Sequence, residues 1–296
     1  MTRAQARANM ERYIQTVVEH FDTRYPGVVT TWDVVNEAFK DGVSSVSEST
    51  DWKDHLRPET QSGWIKAYSN GMAEGEDPSD FIYDAFVFAR RYTYAKLFYN
   101  DFNLYQDGKS KLVARMVLEL NARYKDEYPE DPRMLIEGVG MQSHNYIQDT
   151  PPSSVERGIQ NLLASGVDLM ITELDLFCFF PWNAQPTIYL DLKDRLKAAD
   201  LMGVNGTQAQ KDYWIDRGVT NGSQIEVIQA ELFAEYFQIY KKYADHIDRV
   251  TFWGLSDTAS WRRGHNPLLW NSDWIPKDAF YAVSDPEGYL ASGGVS

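Results

Sequence analysis

Short apolar runs separated by helical patterns are the feature that most restricts how this chain can fold. Five such runs occur, near residues 28–35, 95–101, 134–142, 167–174 and 249–255. Strands that are separated by helices pair in parallel rather than as hairpins. The fourth run, VDLMITEL, is almost continuously apolar, which is typical of a strand covered on both faces. The alternation therefore predicts an α/β fold with a parallel sheet, either open or closed into a barrel.

Helical periodicity fills most of the intervals between these runs. The helices predicted from apolar residues three or four positions apart cover about 3–22, 80–92, 109–126, 152–165 and 224–243. A short last helix contains the sequence KDAFYAV. Two intervals lack the periodicity, namely 40–78, which is rich in Ser, Asp and Gly, and 177–223. Both follow predicted strands, so we expect them to border a site at the strand ends.

Composition restricts the classes of function. The 296 residues include 29 Lys and Arg against 43 Asp and Glu, which gives a net charge of −14. Such a chain repels phosphate backbones and anionic membrane surfaces, so we expect no nucleic-acid partner and no membrane. One cysteine, Cys178, and five scattered histidines offer no familiar metal cluster, and no glycine-rich phosphate loop occurs. We therefore expect neither a metal nor a cofactor.

Two glutamates end apolar strands beside further polar residues. Glu37 closes the run WDVVNE, and Glu173 lies in ITELD. The carboxyl ends of parallel strands meet at one edge of the sheet, where α/β barrels build their active sites. Acetal hydrolysis requires one protonated carboxyl group and one carboxylate, so the pair indicates a glycosidase. Asn36 and Glu37 are adjacent and would face opposite sides of a regular strand, so we expect a distortion at this strand end.

Two further segments place polar or aromatic residues at strand ends. Gln142 and His144 are two positions apart and share a face, so a neutral His144 could hold a carboxylate nucleophile and help keep it ionised. Trp253 and Trp261 follow the fifth strand in a loop-rich segment, where indole rings are costly to expose. The alternatives are a histidine that caps a loop and tryptophans that pack in the core. The functional interpretation of the tryptophans is a floor and a lid for sugar rings.

The order of the motifs resembles a known family. WDVVNEA, LFYNDFNL, GVGMQSH, ITELDL and WGLSDTASW follow one another, and PLLW and PKDAFYAV close the chain. Together they are similar to glycoside hydrolase family 10 from its third helix to its eighth strand. The resemblance implies an eight-stranded (β/α)8 TIM barrel that hydrolyses β-1,4-xylan with retention of anomeric configuration. It covers nearly the whole chain, so residues 1–296 are interpreted as one catalytic domain.

The resemblance also implies a role for each candidate residue. Glu37 would be the general acid/base and Glu173 the nucleophile, with carboxyl groups about 5–5.5 Å apart as in retaining enzymes. The other roles are Asn36 on the 2-hydroxyl of the −1 sugar, Asn103 on the leaving-group side, Gln142 and His144 around Glu173, Asp175 behind His144, Trp253 below the −1 sugar and Trp261 above it.

Two departures from the family pattern bear on this interpretation. Phe102 stands where many members have Tyr. Nothing matches the His-Thr-x-x-Trp-His stretch of the first three strands, so we expect an incomplete barrel with strands 4–8 and their helices. Five strands would leave two open edges. We therefore expect the chain to associate with the missing amino-terminal part of the barrel or with a second copy of itself.

The motifs favour a retaining endo-β-1,4-xylanase that acts on xylan or xylooligosaccharides. The alternatives are a β-1,4-glucanase on a related barrel and a non-catalytic carbohydrate-binding fragment. The segment 40–78 is expected to fold over the leaving-group side. The family implies an extracellular or periplasmic location, whereas the amino-terminal MTRAQARANMERYIQ lacks the apolar core of a signal peptide.

Overall fold

The computed structural model describes residues 1–147, 149–178, 223–262 and 265–293. The described helices are α1 Arg3–Arg24, α2 Gly63–Ser69, α3 Asp80–Tyr92, α4 Asp107–Glu127, α5 Pro152–Leu163, α6 Ser223–Lys242, α7 Asp278–Ser284 and α8 Pro286–Ala291. The described strands are β1 Thr31–Asn36, β2 Lys96–Asp101, β3 Gly138–Met141, β4 His144–Tyr146, β5 Asp168–Phe177 and β6 Ile247–Phe252. The chain divides into two compact units. The first comprises Met1–Met141 and Gly158–Met170, and the second Gln142–Arg157 and Ile171–Ser296.

Parallel strands form the sheet of the first unit. β1 pairs with β2 and β2 pairs with β3, both in parallel. The start of β5 lies beside β3 in the sheet, because the Asp168 N–H donates to the Glu137 carbonyl at 3.1 Å. Every residue of β2 from Leu97 to Asp101 is buried. This near-complete burial is what a parallel strand with a neighbour on each side requires.

Helix α3 lies between the sheet of the first unit and α1. It contacts α1 on one side and β1 and β2 on the other, and residues 81–90 are all buried. A helix that buries every face needs an apolar sequence, which FIYDAFVFA supplies. Its buried charges are paired, since Asp84 accepts from the Arg7 Nε at 2.8 Å and Arg90 binds Glu137.

The second unit is built around the carboxyl-terminal part of β5. β4 pairs with it in parallel, with His144 opposite Asp175, and β6 also pairs with β5. Helix α6 packs against α7 and α8. The core includes Leu174 and Leu176 of β5 and Phe233 of α6, all fully buried. Among the described residues, no helix is long and apolar enough to cross a bilayer.

The predicted parallel α/β alternation is confirmed, and the predicted strands and helices agree with the structure to within a few residues. Strand β4 was missed, because its three residues HNY form no apolar run. Gln142 and Ser143 separate it from β3, and the φ of 62° at Ser143 breaks the extended chain. The interval 40–78, which lacks helical periodicity in the sequence, contains α2 and a short 3₁₀ helix, Trp52–His55. Most of the interval 177–223 lies outside the described residues.

Candidate active site

The end of β1 departs from a regular strand at Glu37. The pairing of β1 with β2 shifts register between Asp33 and Val35. Glu37 itself has a φ of 56°, in the left-handed region that residues with a side chain rarely adopt. The distortion expected from the adjacent Asn36 and Glu37 is therefore confirmed.

Hydrogen bonds on both sides hold the backbone of Glu37. Its N–H donates to the Asn100 carbonyl at 2.9 Å, and its own carbonyl accepts from Arg57 Nε at 2.8 Å. The Arg57 Nη2 lies 3.6 Å from the Glu37 Oε2 and 3.5 Å from the Asp41 Oδ1. The Glu37 carboxylate is thus partly exposed and lies beside a fixed cation. Arg57 comes from the polar interval 40–78, and nothing in its local sequence marked it as part of a site.

Asparagines lie at or just after the ends of β1 and β2 in the first unit. Asn36 accepts a hydrogen bond through its Oδ1 from the Asn100 Nδ2 at 3.0 Å. Asn103 follows β2 with a φ of 56°. A cavity of about 490 Å³ beside β1 is lined by Asn36, Glu37 and Arg57 together with Tyr13 and Trp64.

In the second unit, one histidine bridges two carboxylates. The His144 Nε2 lies 3.1 Å from the Glu173 Oε2, and its Nδ1 lies 2.8 Å from the Asp175 Oδ1. Glu173 and Asp175 are two positions apart on β5, so alternation places both on one face. His144 reaches them from β4, whose parallel register sets it opposite Asp175. Asp175 is fully buried, and the other two side chains are largely so.

The two carboxylates decide the charge of His144. Burial acts to lower the pKa of His144, but the hydrogen bonds that the ring donates to Asp175 and Glu173, and the negative charges of these residues, act against it and raise the pKa to about 9. The ring is therefore protonated at neutral pH, and the expectation of a neutral histidine is wrong. Burial raises the pKa of Asp175, while its bonds to His144 and Trp261 act to lower it.

Both tryptophans remain about half exposed rather than packing in a core. The Trp261 Nε1–H donates to the Asp175 Oδ2 at 2.9 Å, and the ring centroids of Trp261 and His144 are 5.0 Å apart. The Arg262 guanidinium lies 4.0 Å from the Trp261 ring centroid. The Trp253 side chain belongs to a residue that is 47% exposed, and its backbone N–H donates to the Leu174 carbonyl at 3.0 Å. Half-exposed indole rings fixed at a strand end are suited to stacking on a flat ligand.

Gln142 contributes through its backbone as well as its position. Its carbonyl accepts from the Glu173 N–H at 3.0 Å, and the residue is almost completely buried. The neighbouring Ser143 carbonyl accepts from the Asp175 N–H at 3.3 Å. The segment between β3 and β4 therefore supports both Glu173 and Asp175 of β5.

Comparison with known proteins identifies the family. Residues 1–286 match the family described as Glycosyl hydrolase family 10. The chain belongs to glycosyl hydrolase family 10. Its parallel α/β fold is accordingly of the TIM-barrel type.

Several family 10 proteins are similar to this chain. Endo-1,4-beta-xylanase A of Thermotoga neapolitana is 30% identical over 283 residues, which are 94% of this chain and 20% of that protein. Beta-1,4-xylanase of Dictyoglomus thermophilum is 27% identical over 290 residues, 95% of this chain and 64% of that protein. The crystal structure of a bacterial Ig-like domain containing GH10 xylanase from termite gut has a TM-score of 0.74 at 33% identity, and the match covers 99% of this chain and 56% of that chain. This family 10 chain thus spans less than two thirds of these relatives.

The predicted site residues of this family 10 chain fall in two places. The second unit brings Glu173, His144 and Asp175 into one hydrogen-bonded group with Trp261, and Gln142 supports it. The first unit holds Asn36, Glu37 and Asn103. Sequence reasoning missed Arg57. Within the described part of the chain, no group of three or more His, Cys, Asp or Glu side chains could hold a metal ion.

Proposed function

We propose that this chain carries the catalytic carboxylates of a retaining endo-β-1,4-xylanase. The observation that carries the proposal is the bridge from Asp175 through His144 to Glu173. A protonated imidazole in contact with a carboxylate stabilises its anionic form, and a nucleophilic carboxylate must be anionic to attack an anomeric carbon. Relatives named as xylanases support xylan as the substrate class.

In this proposal Glu173 attacks the anomeric carbon and forms a glycosyl-enzyme ester. Glu37 gives its proton to the departing sugar oxygen and then removes a proton from the water that hydrolyses the ester. Asn36 would bind the 2-hydroxyl of the −1 sugar, Trp253 and Trp261 would stack on the sugar, and Asn103 would lie on the leaving-group side. Phe102 stands where many family members have tyrosine, and the Lys109 Nζ lies 4.1 Å from the centroid of its ring.

The segment 40–78 is assigned to the leaving-group side of Glu37. Arg57 supports this assignment, because it comes from that segment and contacts both the carbonyl and the carboxylate of Glu37. Replacement of Arg57 by Ala should change the distribution of xylooligosaccharide products. An unchanged distribution would contradict the assignment.

We further propose that the six described strands, with β3 and β4 as two parts of one strand, correspond to strands 4–8 of the family barrel, and that further strands complete the site. The number of strands supports this, since the described residues contain six strands and a TIM barrel has eight. The completing strands would come from an amino-terminal part of the barrel or from a second copy. Light scattering on this chain is expected to show association. A cooperatively melting monomer would contradict that expectation.

Because xylan is a polymer outside cells, we also propose an extracellular or periplasmic location, testable by assaying the culture medium.

Release of reducing sugar from β-1,4-xylan tests the function, with Glu173→Ala as the matched inactive control. The expected result is release by the native chain and none by the variant. Faster hydrolysis of carboxymethylcellulose than of xylan would favour a β-1,4-glucanase. Affinity for xylooligosaccharides without turnover would favour a carbohydrate-binding fragment.

A further inference from the structure

The backbone of Glu37 is held in a conformation that a glutamate does not prefer. Its φ of 56° lies in the left-handed region, where a Cβ atom is crowded. Such a residue keeps its conformation only when the surrounding structure fixes the chain on both sides. The Asn100 carbonyl and Arg57 fix Glu37 itself. The next peptide group, at Ala38, must be fixed as well, because its orientation depends on the ψ angle of Glu37.

A tyrosine from the neighbouring strand holds that next peptide group. The Ala38 N–H donates to the phenolic oxygen of Tyr99 at 3.0 Å. Tyr99 lies on β2 and is fully buried, and its Cα is the register partner of Val35, two residues before Glu37. Within the first unit, the bond therefore connects β2 directly to the residue that follows Glu37.

A buried ion pair fixes the direction of the Tyr99 hydroxyl. The Asp101 side chain accepts from the Tyr99 hydroxyl, and it also accepts from the Lys109 Nζ at 2.8 Å. Both charged side chains of this pair are fully buried. An ionised carboxylate can only accept, so the phenol must donate to Asp101 and must present its lone pairs to Ala38. The chain Lys109–Asp101–Tyr99–Ala38 is defined here as the β2 relay.

We propose that Tyr99 is a positioning residue for Glu37 and that the β2 relay sets where the acid/base carboxylate lies. The proposal rests on the acid/base role of Glu37 proposed above. Loss of the Tyr99 hydroxyl would leave the Ala38 N–H without this acceptor and would let the peptide after Glu37 rotate. A small displacement of a proton donor is enough to slow proton transfer, because the transfer depends on hydrogen-bond geometry.

The test compares Tyr99→Phe with Tyr68→Phe in the full chain. Tyr68 is also fully buried in the first unit, and its hydroxyl donates to the Asp84 Oδ2 at 3.0 Å. The two substitutions therefore remove the same kind of buried bond, and only one of them contacts the segment after Glu37. The rate of amide exchange at Ala38, followed by NMR, should be about tenfold faster in Tyr99→Phe than in the native chain. In Tyr68→Phe the rate should change only as much as the loss of global stability requires. Equal protection of Ala38 in both variants would overturn the proposal.

A second readout separates positioning from a general loss of structure. Aryl xylobiosides with a poor leaving group need a proton from Glu37, whereas 2,4-dinitrophenolate leaves without one. Tyr99→Phe should lower kcat/KM about tenfold for the phenyl glycoside and leave the dinitrophenyl glycoside nearly unaffected. Equal losses for both glycosides would contradict positioning. Absence of turnover by the native chain on every xyloside would sink the xylanase proposal instead, and the exchange of Ala38 would then decide the role of Tyr99.

Discussion

The Nε2 of His144 lies 3.1 Å from the Oε2 of Glu173, while the Nδ1 of the same ring lies 2.8 Å from Asp175. One imidazole thus contacts two carboxylates, one of them fully buried. A neutral ring can donate through only one nitrogen, whereas a protonated ring donates through both. The geometry and the raised pKa of His144 agree that the ring carries a positive charge.

The first prediction concerns pH. The pKa of His144 is raised from 6.5 to about 9 in the folded chain, so folding strengthens proton binding. The resulting stabilisation is fully present below pH 6.5 and is lost as the pH rises through 9. It amounts to at most about 3 kcal/mol. Urea unfolding of the native chain and of His144→Gln should therefore converge in free energy of unfolding between these pH values.

The second prediction concerns the buried partner of His144. Replacement of Asp175 by Asn removes a negative charge and the first of the favourable bonds to the ring. The pKa of His144 should then fall from about 9 towards its ordinary value, and proposed activity on xylan should fall with it. NMR titration of the His144 ring measures the shift. A ring that still titrates near 9 in Asp175→Asn would show that Glu173 alone sets its charge.

The third prediction separates the two tryptophans. Trp261→Phe keeps an aromatic ring but loses the N–H that donates to buried Asp175. Leaving one oxygen of that carboxylate without its donor should cost about 1–3 kcal/mol in free energy of unfolding. Trp253→Phe is the matched substitution at the other half-exposed indole and should cost less. Equal losses in urea unfolding would contradict a structural role for the Trp261 N–H.

The fourth prediction concerns the buried pair in the first unit. Lys109→Met leaves Asp101 charged and buried without its cation, which should cost about 3–5 kcal/mol. Lys111→Met is the control on the same helix, since Lys111 pairs with Asp107 at the partly exposed surface. The Lys111→Met substitution should lower the free energy of unfolding by less than about 0.5 kcal/mol. Thermal melts of both variants would reveal the difference, and similar melting temperatures would contradict the assigned importance of Asp101.

Much of the second-unit group could be predicted, because it depends on regular strand geometry. Glu173 and Asp175 share a face through alternation. The strand extends farther than the expected end at Glu173, because β5 continues to Phe177. The charge of His144 could not be predicted, since it depends on burial and on two carboxylates at once. The contact of Arg57 with Glu37 could not be predicted either, because the two residues are 20 positions apart and no sequence period connects them.

The fold divides in the same way. Long periodic segments such as α4 were predicted to within two residues at each end. Strand β4 was not, because three residues carry no period and its place depends on pairing with β5. The hydrogen bonds of the β2 relay could not be predicted either. Tyr99 and Asp101 alternate on a buried strand like core residues, and only the fold brings Ala38 to the phenol.

Within the described part of the chain, three strand ends carry a residue with a side chain in the left-handed region. Glu37 follows β1, Asn103 lies two residues after β2, and Ser143 lies two residues after β3. Each such conformation costs of order 1 kcal/mol, which glycine would avoid. Selection for heat resistance alone would therefore enrich glycine at these positions, and at position 37 it would remove the carboxylate that is proposed to act as acid/base. Libraries designed to raise the melting temperature of this chain should hold position 37 constant and draw their gains from residues away from the strand ends.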